Sequence, residues 1–290
     1  YCNYLSNLFL IHCISVLKFK DIVIGNFVSG YHYVKCSHDP DRFWSYVDML
    51  NEGYLFASYS LSSSAQEYAV ARLEDSKTDY YDISTIILSN GDPIWCLFGT
   101  LVKPSGDKER PTLQYYEHPF STLEAKNLTK VQEKIIKQYI DDIFIEHSCF
   151  AVYEEYLLGP ISLMTSYLLT ISNHSKEITY TRIADLSIEE KYLRSNIRKS
   201  YLSLINWGTK NLNISVHYLD SCEWDNIEKF RQLHKYVAGR QTRSLETWKR
   251  QYEAIRAGHA FCVTGEYENK LITAGFFGLG FNHCFYGVSA

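Results

Sequence analysis

The sequence predicts an α/β protein of the α+β kind, with two consecutive domains whose mixed, mainly antiparallel sheets are flanked by helices. The chain has 290 residues, of which 46% are hydrophobic, and this is enough for two separate cores. The order strand, helix, helix, strand, strand, strand occurs twice along it. Phe-Gly and paired aromatic signals recur at matching places in both copies, which indicates an internal duplication.

Composition narrows the class of protein. The net charge is −4 and 21% of the residues are charged, so no basic field covers the whole chain and DNA is not an expected partner. Eight cysteines occur without a C-x-x-C pair, which favours reduced thiols in a cytoplasmic protein and predicts no metal site. Segment 1–30 is left without an assigned structure. Its apolar run NLFLIHCISVL is too short and too interrupted to span a bilayer, and it is interpreted as a buried strand or helix or as sequence upstream of the true start, with a signal-peptide segment as the other interpretation.

The first domain is predicted over 31–186 and begins with the strand YHYVKC. Asp39-Pro40 then supplies an N-cap and a first-turn proline for a helix. A second helical pattern follows in SSSAQEYAVARLED, and after it an apolar hairpin and a third strand complete a sheet. These strands correspond to DISTIILSN, IWCLFGTLV and TLQYYEH.

A long helix is predicted in the second part of this domain. Ser121 and Glu124 have the spacing of a capping box, so the helix is expected to begin there and to run through Ile143. A further strand, a helix start and a last strand complete the domain. They correspond to CFAVYEEY, Gly159-Pro160 and EITYTRIADL.

A single linking helix is predicted over 187–208. Ser187 and Glu190 form a capping box at its start, and Gly208 has the position of a terminating glycine. Its apolar residues follow helical spacing, so one face of the helix is expected to be buried. They include Leu193, Ile197, Tyr201 and Leu204 or Ile205.

The second domain, 209–290, repeats the order of elements. One strand is followed by two helices, and the second of these has Ser244 as its N-cap and Gly258 as its terminator. Three strands joined by two turns complete the pattern. The segments are NISVHYL, WDNIEKFRQLHKYV, SLETWKRQYEAIRAG and AFCVTGEYENKLITAGFFGLGFNHCFYGVSA.

Matching signals support the duplication. Phe98-Gly99 and Phe277-Gly278 occupy the second hairpin strand of each copy, and Tyr115-Tyr116 and Phe285-Tyr286 occupy the third. The chain stops at Ala290 inside a strand-like run, so the second domain is expected to be truncated.

This order of elements is similar to that of the GCN5-related N-acetyltransferase (GNAT) fold, and two units in tandem resemble the FemA/FemB/FemX group of bacterial N-acyltransferases. The resemblance is sharpest in the central and C-terminal parts of the chain. The first domain matches in the order of its elements more than in motifs. The segments are TRIADLSIEEKYLRSNIRKSYLSLINWG, FRQLHKYVAGRQTRSLETWKRQYEAIRAGHAFCV and GFNHCFYGVSA.

The resemblance implies transfer of an acyl or aminoacyl group to an amine of a cell-envelope precursor or a surface glycan. The acceptor would be a small or lipid-linked molecule, and the protein would be cytoplasmic or associated with the inner face of the membrane. The donor would be acyl-CoA or aminoacyl-tRNA, undecided between the two, with no tightly bound cofactor. A non-catalytic binding or scaffold protein of the same fold is the alternative.

The expected cofactor loop is absent from the first domain. GNAT enzymes that use acetyl-CoA carry a Q/R-x-x-G-x-G/A loop after the third meander strand, where backbone N–H groups hold the pyrophosphate. Here that place is EHPFSTLEAK, without a glycine. In the second domain the place falls beyond Ala290, so this chain is expected to lack a donor site of its own and to have doubtful activity. GFFGLG lies within a strand-turn-strand pattern, which favours close packing of strands over phosphate binding.

Two polar segments are candidates for substrate binding. The loop AGRQTR carries guanidinium groups that can hold a phosphate or carboxylate bidentately, although a solvated loop is the other interpretation. The linking helix presents polar residues that its buried face does not require. The candidate residues are Arg198, Lys199, Ser200, Asn206, Trp207, Arg240, Thr242 and Arg243.

The catalytic residues are not identified by any motif. Amine acylation needs a proton acceptor and a donor to the developing oxyanion, and no Ser-His-Asp or Cys-His signature indicates a covalent intermediate. Tyr286 on the last strand and His234 on a helix are weak candidates, and each is equally consistent with simple packing. The general base is left unassigned.

Overall fold

The structure is a computed structural model that describes residues 30–52, 59–103, 110–154, 161–171, 184–280 and 283–290. These residues form twelve strands and eight α-helices. The strands are β1 (Tyr31–Lys35), β2 (Tyr80–Asp82), β3 (Thr85–Ser89), β4 (Asp92–Phe98), β5 (Thr100–Val102), β6 (Thr112–Gln114), β7 (Ser121–Glu124), β8 (Phe150–Ala151), β9 (Asn213–His217), β10 (Ala260–Tyr267), β11 (Lys270–Leu279) and β12 (Cys284–Ser289). The helices are α1 (Pro40–Asn51), α2 (Ser63–Ser76), α3 (Lys130–His147), α4 (Leu163–Leu168), α5 (Glu190–Asn196), α6 (Lys199–Asn211), α7 (Trp224–Ala238) and α8 (Leu245–Arg256).

Two four-stranded antiparallel sheets repeat one strand order. The first sheet has the order β1-β3-β4-β7, and the second sheet has the order β9-β10-β11-β12. In each, a strand, two helices and three antiparallel strands follow one another along the chain. The predicted fold class, mainly antiparallel sheets flanked by helices, is therefore confirmed. The assignment of domain limits at 31–186 and 209–290 stays a prediction.

A smaller side sheet, in the order β2-β5-β6-β8, continues the first sheet. Asp82 pairs with Thr100, and Thr85 pairs with Leu97 in the same register, so β2–β3 and β4–β5 are two long strands that bend together. The Ile83 amide donates to the Gly99 carbonyl at 2.9 Å across this bend. Strand β8 joins β6 in parallel, which makes this sheet mixed.

The third strand of the first half, which is the part of the chain that forms the first sheet, is interrupted by six residues, 115–120, between β6 and β7. Thr100 pairs with Gln114, whereas Phe98 pairs with Ser121. Tyr115 and Tyr116 therefore lie in a bulge outside the ladder. The predicted correspondence of Tyr115-Tyr116 with Phe285-Tyr286 is wrong, because the latter pair lies within the ladder of β12.

Alternation along the strands places apolar residues on both faces of the first sheet. Ile86 and Leu88 face a core that includes residues of α1 and α2, whereas Ile87 faces a core that includes residues of α3. Trp95 belongs to the α3 core and is fully buried. Both faces of this sheet are thus covered by helices.

The long helix α3 begins later than predicted. Ser121 and Glu124 lie in strand β7, where Glu124 pairs with Trp95, so they do not form a capping box. The helix starts after Thr129, whose side chain accepts from the Gln132 amide while the Gln132 side chain accepts from the Thr129 amide. The correct box has the same spacing, eight residues further along the chain.

The linking segment is two helices, so the predicted single helix over 187–208 is wrong. Ile197 adopts extended backbone angles between α5 and α6. Gly208 lies inside α6, and the helix ends at Asn211. In addition, neither helix has a buried residue, and Leu204 is 64% exposed. The apolar residues do lie on one face of the helix, but in the described parts of the chain no element covers that face.

Three further properties of the described residues concern thiols, metal-binding groups and membrane-spanning helices. Their six cysteines are free thiols. No cluster of three or more His, Cys, Asp or Glu side chains within these ranges is placed to hold a metal ion. None of the helices in the same ranges combines the length and the apolar character needed to cross a membrane.

Candidate functional site at the junction of the two halves

Helix α2 of the first half packs against α8 of the second half. Tyr59, just before α2, and Ala65, in the first turn of α2, are buried in the core that contains Trp248 and Phe276 of the second half. A Cβ atom on Gly278 would lie 2.4 Å from the Tyr59 ring, so this position of β11 requires glycine. The two halves therefore share a continuous apolar contact.

Polar side chains of α2 continue the junction beyond the apolar contact. The Ser64 hydroxyl and His259 Nδ1 lie 2.7 Å apart, and both groups are at least half-buried. At the other end, Asp75 Oδ2 accepts from the Ser244 backbone amide at 3.4 Å. Ser244 is the N-cap of α8, so the Asp75 charge lies near the positive end of that helix dipole.

Arg243 lies at the centre of this junction. Its guanidinium carbon is 3.9 Å from the centre of the Trp248 ring, and its Nη1 donates to the Tyr68 hydroxyl at 2.9 Å. Its Nε and Nη2 atoms are buried and have no hydrogen-bond partner in the described part of the chain. Burial lowers the pKa of Arg243, and the nearby positive charge of Arg72 lowers it further.

An unpaired buried cation is costly. Removing a guanidinium donor from water without a new partner costs about 1–3 kcal/mol, and more when the group is charged. Cation–π contact with Trp248 offsets part of this cost. Within the described ranges Arg243 has no ion pair with a carboxylate, so an anionic ligand is the group that would complete its contacts.

Arg72 of α2 contributes a second guanidinium from the first half. It holds Glu117 with two hydrogen bonds, of 3.0 and 3.2 Å. This contact raises the pKa of Arg72, and Tyr68 raises it further. Glu117 is the third residue of the bulge that interrupts the third strand, so the bulge reaches the junction.

These groups surround an open groove of about 510 Å³, which we call the junction groove. It combines two guanidinium groups with two carboxylates, so it presents both signs of charge within one concavity. A ligand that carries an anion and an amine would match both. The lining residues are Arg72, Asp75, Ser76, Glu117, Gln241, Thr242, Arg243 and Ser244.

Three of the predicted residues come together here. Thr242 and Arg243 line the groove, and the Thr242 hydroxyl lies 3.4 Å from His234 Nδ1. The His234 ring packs edge-on against Trp248 at 5.5 Å. Burial lowers the pKa of His234, and the Arg243 charge lowers it further, so its imidazole is neutral at pH 7. A neutral imidazole can accept a proton.

Arg240 has a different environment. It follows Gly239, which ends α7 in the left-handed conformation at φ 67°, and its side chain is exposed. It is absent from the residues that line the junction groove.

The predicted residues of α6 lie outside the junction groove. Arg198, Lys199 and Ser200 are exposed at the start of the helix. Asn206 accepts a hydrogen bond from Arg194 of α5, and the Trp207 ring contacts the Tyr267 ring with centroids 5.8 Å apart. Among the described residues, those that line the groove include none from α6. Substrate binding by this helix stays a prediction.

Tyr286 is placed on a different surface. It is 56% exposed on β12 and packs against Phe277 at 5.4 Å. It lines a separate concavity of about 200 Å³ on the second sheet together with Leu212 and Ile214. The structure does not bring it to His234 or Arg243.

The similarity of this chain to known proteins is one of structure. No protein-family model matches the chain, and no curated protein matches its sequence. Among solved structures, the chain is similar to a tandem GNAT protein from the clavulanic acid biosynthesis pathway, without AcCoA. The two share 10% sequence identity at a TM-score of 0.39, over 89% of this chain and 78% of that chain. A similarity of this size carries no argument on activity.

Sequence reasoning missed the residues that α2 contributes. Ser64, Tyr68 and Arg72 are spaced by four residues, so they form a polar stripe on one face of the helix. That stripe is a signal that the sequence offers. Its pairing with His259 and Arg243, nearly 200 residues away in the sequence, depends on the packing of the two halves.

Proposed function

We propose that this protein is an N-acyltransferase, which transfers an acyl or aminoacyl group to an amine, and that its acceptor binds in the junction groove. The observation that carries the proposal is the buried Arg243 guanidinium with two unpaired donors beside a groove shared by both halves. Binding an anion there would supply the missing hydrogen bonds.

The repeated architecture supports the reaction class. In each half a strand, two helices and three antiparallel strands follow one another in the order of the GNAT fold, and the sequence resembles tandem N-acyltransferases of the FemA/FemB/FemX group. Fold alone does not determine an activity, so the groove supplies the chemical part of the proposal. Its mixed charges suit an acceptor with both an amine and an acidic group.

Such an acceptor fits a precursor of the cell envelope or of a surface glycan. Amino-sugar phosphates and peptides with free carboxylates carry a phosphate or a carboxylate together with an amine. Arg243 and Arg72 would hold the anion, and the negative charges of Asp75 and Glu117 would attract the ammonium group towards the groove as the acceptor approaches. A soluble or lipid-linked precursor would meet this requirement, at a cytoplasmic site that includes the inner face of the membrane.

The donor is acyl-CoA or aminoacyl-tRNA. In the first half, the helix that follows the third meander strand is α3, and the capping box of Thr129 and Gln132 occupies the backbone amides of these two residues at its start. A pyrophosphate would compete with these side chains, because it needs the same N–H groups. This observation favours a donor site in the second half, and it also keeps a non-catalytic binding protein as the second candidate.

Radiolabelled acetyl-CoA and aminoacyl-tRNA test the proposal directly. Each donor is incubated with the protein and with an amino-sugar phosphate or a lysine-containing peptide, and label in an amide product is measured. We expect transfer to acceptors that carry an anion, and a rise in KM of at least about tenfold in Arg243→Met, which is the loss of about 1.4 kcal/mol of binding.

Arg240→Met is the matched control, because Arg240 is on the same loop but outside the groove. Equal effects of both substitutions on KM would contradict acceptor binding in the groove. If neither donor gives product while the amino-sugar phosphate binds and Arg243→Met abolishes that binding, the protein is a binding module of the same fold, and the acyltransferase proposal fails.

A further inference from the structure

A second polar cluster lies inside the first half, between α2 and the bend of the sheet. Asp82 Oδ2 accepts from Gln66 Nε2 at 3.1 Å and from the Tyr116 hydroxyl at 3.2 Å. Gln66 also donates to the Tyr116 hydroxyl at 2.8 Å, and its amide oxygen is 3.7 Å from the Cys36 thiol. The Asp82 Oδ1 atom accepts from the Ser84 amide at 2.8 Å.

This carboxylate has no cationic partner in the described parts of the chain. Burial raises the pKa of Asp82, and its hydrogen bonds to Ser84 and Tyr116 oppose that shift only in part. The titratable side chains that face it are thiols and phenols, all of which are neutral near pH 7. They are Cys36, Tyr80, Cys96, Tyr115 and Tyr116.

Two hydroxyl groups beside Asp82 lack partners. Thr100 is opposite Asp82 in the strand pairing, it is fully buried, and its Oγ1 has no hydrogen bond among the described residues. The Tyr115 hydroxyl is likewise buried and without a partner there, and the Asp82 charge contributes to its raised pKa. Unpaired buried hydroxyls are uncommon and cost about 1–3 kcal/mol each.

The backbone of Tyr116 has a strained conformation, which costs free energy. Tyr116 has φ 53°, in the left-handed region that bulky residues rarely adopt. Its carbonyl accepts from the Gln114 side chain across the bulge. Backbone strain of this kind costs about 1–3 kcal/mol and is concentrated at functional sites. Here its effect is to direct the Tyr116 phenol towards Asp82.

The bulge also connects this cluster to the junction groove. Tyr116 contacts Asp82, and the next residue, Glu117, pairs with Arg72 at the groove. Helix α2 also connects the two sites, because its Gln66 belongs to the cluster and its Arg72 lines the groove. Asp82 and Tyr80 are mostly buried but keep a small exposed part, whereas Thr100 and Tyr115 are buried, so the cluster reaches solvent only at the edge formed by Asp82 and Tyr80.

We propose that Asp82 is the catalytic proton acceptor for a primary amine, with Thr100 and Tyr115 as its additional ligands and with Tyr116 and Gln66 as positioning residues. The inference rests on the proposed N-acyltransferase function and extends it to a catalytic residue. A primary ammonium has three N–H donors, and Asp82, Thr100 and Tyr115 supply three acceptors, two of which lack partners in the structure.

The proton balance of the step is simple. The acceptor ammonium gives one proton to Asp82, and the neutral nitrogen attacks the acyl carbonyl. The new C–N bond forms while the C–S bond of a thioester, or the C–O bond of an aminoacyl ester, breaks. The second nitrogen proton leaves with the thiol or hydroxyl, and Asp82 returns its proton to solvent between turnovers.

Asp82→Asn is the decisive variant, because it keeps the shape of the side chain and removes the proton acceptor. We expect kcat to fall by about 10²- to 10⁴-fold with an unchanged melting temperature or a higher one. The acid limb of the kcat/KM profile should disappear in this variant. Asp79→Asn, an exposed carboxylate three residues away, is the matched control and should leave kcat and the pH profile unchanged.

Thr100→Val provides an independent measurement if Asp82→Asn fails to fold. It removes a hydroxyl that makes no hydrogen bond, so the fold should tolerate it. We expect the KM for the amine to rise by about tenfold, equivalent to one lost hydrogen bond of about 1.4 kcal/mol, with kcat changed less than threefold. A purely structural threonine would leave KM as it is.

The outcomes separate this inference from the proposed function. If the wild-type protein transfers acyl groups and Asp82→Asn retains kcat within threefold, Asp82 is not the proton acceptor while the proposed function stands. If Asp82→Asn lowers kcat but leaves the acid limb in place, its effect is structural and the inference is overturned. If the wild-type protein forms no amide with either donor, the proposed function fails, and the role of Asp82 fails with it.

Discussion

Replacing Arg243 with methionine separates a structural role of this residue from a binding role. Methionine matches the arginine side chain from Cβ to Nε, and it removes the guanidinium group that lies over the Trp248 ring. The structure gives Arg243 one hydrogen bond, to Tyr68, and one cation–π contact, against two buried donors that lack partners. The stability change is the balance of these terms.

The losses are about 1.5–3 kcal/mol for a hydrogen bond to a charged group and about 1–2 kcal/mol for a desolvated cation–π contact. The gain is about 1–3 kcal/mol for each unsatisfied donor removed. Two such donors therefore offset the losses, and the free energy of unfolding of Arg243→Met should lie within about 2 kcal/mol of the wild-type value.

Urea denaturation measured with and without inorganic phosphate checks both parts of this reasoning. A phosphate concentration of a hundred times Kd should stabilise the wild-type protein by about 2.7 kcal/mol, and Arg243→Met should show no such gain. A loss of more than about 3 kcal/mol on substitution, or an equal phosphate effect in both proteins, would refute the idea that Arg243 is held in the structure for an anionic ligand.

Three further predictions test the packing, the buried charge and the hydrogen bond between the two halves. Gly278→Ala should cost about 1–3 kcal/mol by overpacking against Tyr59, and in urea melts the double variant with Tyr59→Ala should be no less stable than Tyr59→Ala alone. The pKa of Asp82 is raised in the folded state, so folding favours its protonated form. Stability should fall as pH rises from about 4 through that raised pKa, and Asp82→Asn should flatten this part of the profile. A double-mutant cycle of Ser64→Ala and His259→Ala should give a coupling of about 0.5–1.5 kcal/mol, and additive effects would contradict the 2.7 Å hydrogen bond between the halves.

Local signals were sufficient for much of the fold and insufficient for its boundaries. The pairs of strands and helices follow from alternation and caps, as at Ser244, whose side chain accepts from the Thr247 amide as predicted for the start of α8. The box at Ser121 and Glu124 was wrong, because a capping-box spacing also occurs in strands. Glu124 lies in a strand because it pairs with Trp95, and that pairing is a tertiary contact that the local sequence does not contain.

The linking segment shows a different limit. Helical spacing of apolar residues predicts a buried face only if another element covers it. Tyr201 and Leu204 have the right spacing on α6, yet both side chains are largely exposed. Periodicity therefore identified the helix, and the burial that was inferred from it is wrong in the described structure.

The candidate site divides in the same way. The loop that carries Thr242 and Arg243 was found from its residue types, because paired arginines suit an anion wherever they fold. Tyr68 was missed, because the polar stripe to which it belongs on α2 does not by itself indicate which residues face it. The Nε and Nη2 atoms of Arg243 lack hydrogen-bond partners because of the way in which α2 and α8 pack together. No local stretch of sequence predicts this.

The bulge at residues 115–120 connects the junction groove to the cluster around Asp82, because its residues contact both. An uninterrupted third strand would place successive side chains on opposite faces at fixed positions. The five extra residues allow Tyr116 to face Asp82 and Glu117 to reach Arg72.

If the acceptor amine and its anion occupy these two places, a substitution that shifts the bulge must affect both. Gln114→Leu removes the side chain that holds the Tyr116 carbonyl, and we expect it to lower kcat and raise the acceptor KM together, whereas Thr100→Val should change KM alone. Effects of Gln114→Leu on only one of these constants would show that the two sites do not act on one substrate.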